Sequence, residues 1–203
     1  EYLQREVGAG ATLEGGLFIP MPFVPPEQIE SMNRYALKLV AGLPKCKALG
    51  VVSPDIGPEP FREFVQNKQF AGFKPYHVYS PLKPTWQAPL NTYLPEWAWE
   101  LANEHGLAIT LHMVRDEALA DPQNQREIRD WCRKYPNAKL ILAHAARGFH
   151  APNTVKGIAS LRGLENVWFD SSAICEAAPL KAILREFGPR KLMWGSDFPA
   201  CEV

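Results

Sequence analysis

Short apolar runs alternate along the chain with amphipathic stretches of helical length, and this alternation constrains the fold more than any other feature. The apolar runs have the length of strands and are rich in branched and aromatic residues. They cover residues 16–21, 46–52, 70–79, 107–114, 139–143, 167–170 and 192–194. Strands that alternate with helices through short connections predict an α/β fold, in which helices cover a parallel sheet.

The stretches between these runs carry signals for the start and the end of helices. They cover residues 26–41, 59–67, 94–104, 122–134, 155–162 and 179–187. Asp121 before Pro122 has the pattern of an N-cap followed by proline in the first turn. Gly106 and Gly188 stand where a helix commonly ends in the left-handed conformation. Local chemistry therefore predicts several helix boundaries.

The position of polar residues favours a closed barrel over an open sheet. Polar groups stand at or just after the ends of the apolar runs, at residues 53–55, 77, 112, 144, 170–172 and 197. In a (β/α)8 barrel the carboxyl ends of all strands meet at one face, where the active site forms. A doubly wound sheet would spread them along a crevice. We therefore predict one TIM-barrel domain over residues 1–203. Because only seven strands are counted, we expect its first strand and the elements after its last strand to lie outside this sequence.

Charge and composition exclude several classes of partner. The 22 lysines and arginines balance the 22 aspartates and glutamates, so no excess of basic charge predicts binding to nucleic acid or to an anionic membrane. No apolar run approaches the roughly 18 residues of a membrane helix. The four cysteines, Cys46, Cys132, Cys175 and Cys201, are widely spaced, which predicts reduced thiols and a cytoplasmic protein. The expected partner is a small-molecule substrate; a homo-oligomer stays open, because exposed sheet edges would favour association.

Two histidines and one aspartate at strand ends are candidates for a metal site. His112 ends one apolar run, His144 follows the next run, and Asp197 follows the last. Neutral imidazole is the commonest metal ligand, and a carboxylate can bind a metal or accept a proton from bound water. Taken alone, a histidine at a strand end is more often structural, and an aspartate before Phe-Pro is commonly a turn residue. Their repetition at equivalent positions favours a divalent-metal hydrolase site, with zinc as the first choice and manganese as the second.

Nearby basic residues are candidates for substrate binding. Arg115 and Arg147 each follow a candidate histidine by three residues, and arginine can hold a carboxylate through two parallel hydrogen bonds. Arginines at the surface or at a helix start are the alternative. Lys74 is either an interior cation paired with a carboxylate or a contact for a substrate carboxylate. His77 would face away from Lys74 under strict alternation, unless Pro75 bends the chain toward the barrel mouth.

Four segments give the sequence a resemblance to a known family. LHMVRD, LAHAARGF, VWFDSSA and MWGSDFP, in this order, resemble the amidohydrolase superfamily, most closely its amidohydrolase-related branch. That branch contains metal-dependent hydrolases and the amino-carboxymuconate-semialdehyde decarboxylase type. By motif match, the resemblance implies that His112 binds the metal and that His144 binds the metal or polarises the substrate. It implies that Asp197 binds the metal and serves as the base.

One departure from the family pattern leaves the function open. The family has an HxH pair on its first strand, and no HxH occurs in these 203 residues. Either that strand lies upstream of Glu1 or half of the metal site is lost. The first expectation is a metal-dependent hydrolase of a small carboxylate-bearing ester, lactone or amide. The alternatives are a metal-dependent non-oxidative decarboxylase on the same scaffold, and a truncated or inactive barrel that binds a ligand or partner without catalysis.

Overall fold

The computed structural model describes residues 10, 12 and 14–198, and its centre is one sheet of seven parallel strands. Every strand pairs with its neighbours in the chain, in the order β1-β2-β3-β4-β5-β6-β7. The strands are β1 (Gly16–Phe18), β2 (Cys46–Val52), β3 (Phe70–Pro75), β4 (Ala108–Leu111), β5 (Lys139–Leu142), β6 (Val167–Asp170) and β7 (Leu192–Met193).

This strand order decides between the two predicted architectures. A doubly wound sheet reverses its strand order at a switch point, whereas a TIM barrel keeps the order of the chain. The observed order never reverses, so the TIM-barrel fold is confirmed. All seven predicted strands are present. The longest predicted run, 70–79, stops at Pro75 as a strand and continues as a 3-10 turn at His77–Tyr79.

Helices connect the strands and cover the sheet. They are α1 (Ile29–Val40), α2 (Glu59–Phe64), α3 (Glu96–His105), α4 (Pro122–Lys134), α5 (Ala151–Gly157) and α6 (Ala177–Phe187). Further 3-10 turns are Pro26–Gln28, Thr85–Gln87, Leu90–Thr92, Ala118–Ala120, Ile158–Leu161 and Pro189–Lys191. Helix α4 begins as predicted, because the Asp121 side chain accepts hydrogen bonds from the backbone N–H groups of Gln123 and Asn124. Helix α5 begins earlier than predicted, at Ala151, where Pro152 suits the first turn.

An aromatic cluster packs helix α2 against strand β3. The Phe61 and Phe73 ring centroids lie 5.6 Å apart, and those of Phe64 and Phe70 lie 6.0 Å apart. Strand β1 pairs with β2 only as far as Ala48. Beyond that point the buried Asn33 side chain exchanges two hydrogen bonds with the backbone of Val51, at 2.8 and 2.9 Å. Helix α1 thereby satisfies backbone groups that β1 does not reach.

The structure also bears on two predictions from composition, which concern membrane helices and the cysteines. Among the described residues, no helix is both long enough and apolar enough to cross a membrane. Cys46, Cys132 and Cys175 form no disulfide with a described residue. Cys201 lies outside the described residues.

Candidate active site

Three histidines predicted from the sequence come together at the carboxyl ends of the strands. Strands β4 and β5 pair in parallel with Leu111 opposite Leu142, so the residues that follow them are neighbours. The His112 and His144 ring centroids lie 4.9 Å apart, at an interplanar angle of 71°. The His77 ring lies 6.1 Å from that of His112, because the chain bends after Pro75. The sheet thus gathers imidazoles from three consecutive connections.

Lys74 is a buried cation beside these rings. Its side chain lies on β3 and is only 5% exposed. Within the part of the chain that the structure describes, none of the ion pairs involves Lys74. Burial lowers the pKa of Lys74 to about 8, and the charges of Asp170 and Asp197 oppose this change. Lys74 is therefore an interior cation that no ion pair with a described residue neutralises.

Burial keeps the imidazoles neutral at neutral pH. It lowers the pKa of His112 to about 2, with the charge of Lys74 as the next largest cause. It also lowers the pKa of His144, against the charges of Asp170 and Asp197. The pKa of His77 falls through burial and through the charge of Arg147. Neutral imidazoles have a free lone pair, so they can bind a metal or accept a proton.

A turn with left-handed backbone positions His144. The segment Ala143–Arg147 has the hydrogen bonding of a short helix, but His144, Ala145, Ala146 and Arg147 have φ values between 50° and 61°. This conformation costs about 1–2 kcal/mol for each residue that has a side chain. Strain of this kind persists only where surrounding contacts fix it.

Hydrogen bonds from two neighbouring elements hold this left-handed turn. An Asp170 carboxylate oxygen, at the end of β6, accepts the backbone N–H of His144 at 2.9 Å. Thr154 of α5 donates its hydroxyl to the carbonyl of Ala145 at 2.6 Å. Within the turn, the Gly148 N–H bonds to the His144 carbonyl at 2.7 Å. These contacts compensate for the strain and direct the His144 ring toward His112.

Ser172 is a contact of His144 that the sequence did not single out. Its Oγ lies 2.9 Å from His144 Nδ1 and 2.5 Å from an Asp170 carboxylate oxygen. The sequence groups residues 170–172 together as polar positions at a strand end and does not separate the two serines. Ser171 instead accepts the N–H of Gly195 at 3.4 Å. Ser171 and Ser172 have the same chemistry, so only the three-dimensional path after β6 separates them.

The two candidate arginines occupy different environments. Arg115 donates from Nε to an Asp121 carboxylate oxygen at 2.9 Å, which ties its guanidinium to the start of α4. Arg147 is half-buried and donates from Nη1 to the Arg115 carbonyl at 2.7 Å. No carboxylate of a described residue forms an ion pair with Arg147. Arg147 therefore keeps charge and donors that the fold does not consume.

Asp197, the third predicted ligand, lies near this group. It follows β7, is half-buried, and its charge raises the pKa of His144 and of Lys74. Across residues 10, 12 and 14–198, no three His, Cys, Asp or Glu side chains lie close enough to hold one ion. The donor chemistry of His112 and His144 fits a divalent metal, but the third ligand is not assembled with them.

Two aromatic residues complete the surroundings of the histidines, and the sequence did not single out either of them. The Phe149 ring centroid lies 5.0 Å from that of His144 and 6.3 Å from that of His112, and Phe149 is 49% exposed. Tyr93 is fully buried and donates its hydroxyl to the carbonyl of His112 at 3.4 Å. The only sequence signal for Phe149 is its place in the same connection as His144.

Comparisons with known proteins bear on the family and the fold of this chain. The chain matches the sequence profile of the amidohydrolase family over residues 22–203. A comparison with curated proteins gives no match.

Solved structures share the fold at low sequence identity. A proposed 2-pyrone-4,6-dicarboxylic acid hydrolase from Acinetobacter baumannii, with citric acid bound, matches with a TM-score of 0.65 and 17% identity, over 94% of this chain and 70% of that one. A 5-carboxyvanillate decarboxylase from Sphingomonas paucimobilis matches with a TM-score of 0.60 and 16% identity, over 91% of this chain and 68% of that one. A dihydroxybenzoic acid decarboxylase from Polaromonas, with bound manganese, matches with a TM-score of 0.54 and 16% identity, over 85% of this chain and 65% of that one. At these identities the likeness establishes the fold alone.

The strain of the left-handed turn gives a testable prediction. Ala146 and Ala98 are both fully buried, but Ala146 has a φ of 61° and Ala98 lies in helix α3. Glycine relieves left-handed strain and weakens a helix. We expect Ala146→Gly to cost about 1–2 kcal/mol less stability than the matched control Ala98→Gly, since both lose the same buried methyl group. Urea unfolding of both variants measures the difference, and equal losses would contradict the strain.

Proposed function

The chain belongs to the amidohydrolase family, and we propose that it is a metal-dependent hydrolase of a small ester, lactone or amide that carries a carboxylate. The observation that carries this proposal is Arg147, a half-buried cation that forms no ion pair in the described residues and whose charge acts on His77. A guanidinium with free donors beside neutral imidazoles is suited to an anionic substrate. The fold shared with a proposed 2-pyrone-4,6-dicarboxylic acid hydrolase supports a carboxylated lactone as the first probe.

The basic residues bind and orient the substrate in this proposal. Arg147 holds a substrate carboxylate, and the buried ammonium of Lys74 provides a second positive charge that acts on His112, as that of Arg147 does. Arg115 contributes through its carbonyl, which fixes Arg147, and through the part of its guanidinium that Asp121 leaves free. His77 contacts the substrate at the edge of the site. Fixing a substrate by such contacts lowers the entropy that the reaction step must lose.

Asp197 and His144 perform the chemical steps. Asp197 accepts a proton from the attacking water and returns it to the leaving group, which is the work of a general base and acid. His144, held by the left-handed turn, binds the metal or polarises the scissile carbonyl. The exclusion of water around these buried groups strengthens their electrostatic interactions.

We propose a divalent metal as the cofactor, zinc first and manganese second, with His112, His144 and Asp197 as ligands. The support is the pair of neutral imidazoles, whose ring centroids lie 4.9 Å apart. One decarboxylase of the same fold contains manganese. When bound, such a metal lowers the pKa of its water toward neutrality. The affinity for the metal is the quantity to measure, because the described residues do not bring three ligands together.

A second reaction on the same scaffold is a non-oxidative decarboxylation. Two structures with this fold are decarboxylases of aromatic acids. Buried cations such as Lys74 would bind the carboxylate that leaves, and Asp197 would supply the proton that replaces it. The third candidate, a barrel that binds a ligand without catalysis, is supported by the observation that the described residues do not bring three metal ligands together.

The role of Asp197 can be tested with two probes that separate the reactions. We expect the chain to open the lactone of 2-pyrone-4,6-dicarboxylate and to release no CO2 from 5-carboxyvanillate. Asp197→Asn should lower kcat/KM by about 100-fold or more, because the general base is lost. Asp130→Asn, an exposed change on α4, is the control. Release of CO2 from 5-carboxyvanillate would show that the reaction is decarboxylation and would contradict the proposed hydrolysis. A near-normal rate in Asp197→Asn would show that Asp197 is not the general base.

The role of Arg147 predicts discrimination between charged and neutral substrates. Arg147→Ala should raise KM for 2-pyrone-4,6-dicarboxylate about 10- to 100-fold, the usual effect of losing a hydrogen bond between charged groups. It should change KM much less for the dimethyl ester, which has no carboxylate. Steady-state kinetics measures both, with the exposed Arg185→Ala on α6 as control. Equal effects on the acid and the ester would show that Arg147 does not bind the carboxylate.

The metal proposal predicts that His112 contributes to affinity. We expect zinc or manganese, titrated alone by calorimetry after dialysis against metal-free buffer, to bind near one equivalent per chain. His112→Ala should weaken this affinity by about tenfold or more, because a catalytic site normally has three protein ligands. His105→Ala at the end of α3 is the control for a histidine outside the site. Unchanged affinity in His112→Ala would contradict its role as a ligand.

A further inference from the structure

We propose that Ser172 and Asp170 are positioning residues that hold neutral His144 with its proton on Nδ1, so that the lone pair stands on Nε2. The assignment follows from the contact of Ser172 Oγ with both Asp170 and His144 Nδ1. This assignment of the tautomer does not depend on which reaction the chain catalyses, but its consequence for catalysis rests on the proposed function.

The proton positions follow from the donors and acceptors in this chain of contacts. An ionised carboxylate can only accept, so the single hydroxyl proton of Ser172 is donated to Asp170 across 2.5 Å. Ser172 Oγ can then only accept from His144 Nδ1, 2.9 Å away. The Ser172 carbonyl, an acceptor in every state, lies 3.3 Å from the same Nδ1. Both neighbours of Nδ1 therefore require that it carries the hydrogen.

Burial makes this tautomer persistent. Ser172 is 6% exposed and His144 is 5% exposed, so water has little access to compete for these hydrogen bonds. The same Asp170 oxygen also accepts the backbone N–H groups of His144 and Ser172, at 2.9 and 3.1 Å. One carboxylate thus fixes the backbone of the left-handed turn and, through Ser172, the orientation of the ring.

The tautomer narrows the role of His144. In the described residues Nε2 has no hydrogen-bond partner, and in neutral His144 it has no proton to donate to a carbonyl. Neutral His144 can therefore act at Nε2 as a metal ligand or as a proton acceptor. Of the two roles proposed for His144 above, this arrangement favours metal binding, because polarisation of a scissile carbonyl by neutral His144 would need the hydrogen on Nε2.

Nitrogen NMR of the protein as purified, labelled with 15N-histidine, tests the proposal independently of activity. The chain has five histidines, and a His144→Gln sample identifies the signals of His144. We expect the Nδ1–H tautomer in the wild type. Ser172→Ala should shift the ratio toward Nε2–H about tenfold, since one hydrogen bond of Nδ1 is lost and only the carbonyl remains. Ser172→Thr should restore the ratio, and the matched control Ser171→Ala should leave it unchanged.

Kinetics with 2-pyrone-4,6-dicarboxylate then tests the catalytic consequence. Ser172→Ala should lower kcat about tenfold with little change in KM, and Ser172→Thr should recover most of it. An Nε2–H tautomer in the wild type, or an unchanged ratio in Ser172→Ala, would overturn the proposal whatever the activity. The wild-type spectrum decides the question even where Ser172→Ala does not fold. The expected spectra in a chain that does not hydrolyse the probe would support the positioning and count against the proposed function alone.

Discussion

The carboxylate of Asp170 is the contact on which the geometry of this site depends. It stands at the end of β6 and accepts the N–H of His144, the first residue of a turn with unfavourable φ values at four consecutive residues. At about 1–2 kcal/mol per residue, the strain of the turn amounts to a large fraction of the stability of a typical domain. Both the His144 ring and the Arg147 side chain leave the backbone within this turn, so their directions are set by a residue on the neighbouring strand.

The barrel also explains how groups that destabilise a fold come to lie together. Parallel strands in chain order place Lys74, His112 and His144 on adjacent strand ends. The buried ammonium of Lys74, which forms no ion pair with a described residue, and the buried imidazoles all lose solvation, and their pKa values fall accordingly. The large aromatic and aliphatic core between the sheet and the helices compensates for this loss. Departures from stable packing of this kind are concentrated where proteins bind or react.

The parts of the structure that the sequence predicted are those set by local chemistry. The seven strands follow from apolar runs, and the start of α4 follows from the capping of Asp121. The left-handed turn was not predictable in this way, because Ala145 and Ala146 give no signal for positive φ and the contact that fixes them comes from Asp170. Strand order places side chains on one face, but it does not specify whether three of them lie within bonding distance of one ion, and the described residues contain no such group of three. The role of Asp197 as a ligand stays a prediction.

The difference between the two arginines shows how a helix start can shape a binding site. One oxygen of Asp121 caps α4, and the other binds Arg115. The carbonyl of Arg115 in turn accepts one donor of Arg147, at 2.7 Å. A guanidinium has five donors, so this bond fixes the direction of Arg147 and engages only one of them. The two arginines occur in equivalent sequence contexts, yet Asp121 binds the guanidinium of Arg115 while no described carboxylate forms an ion pair with that of Arg147.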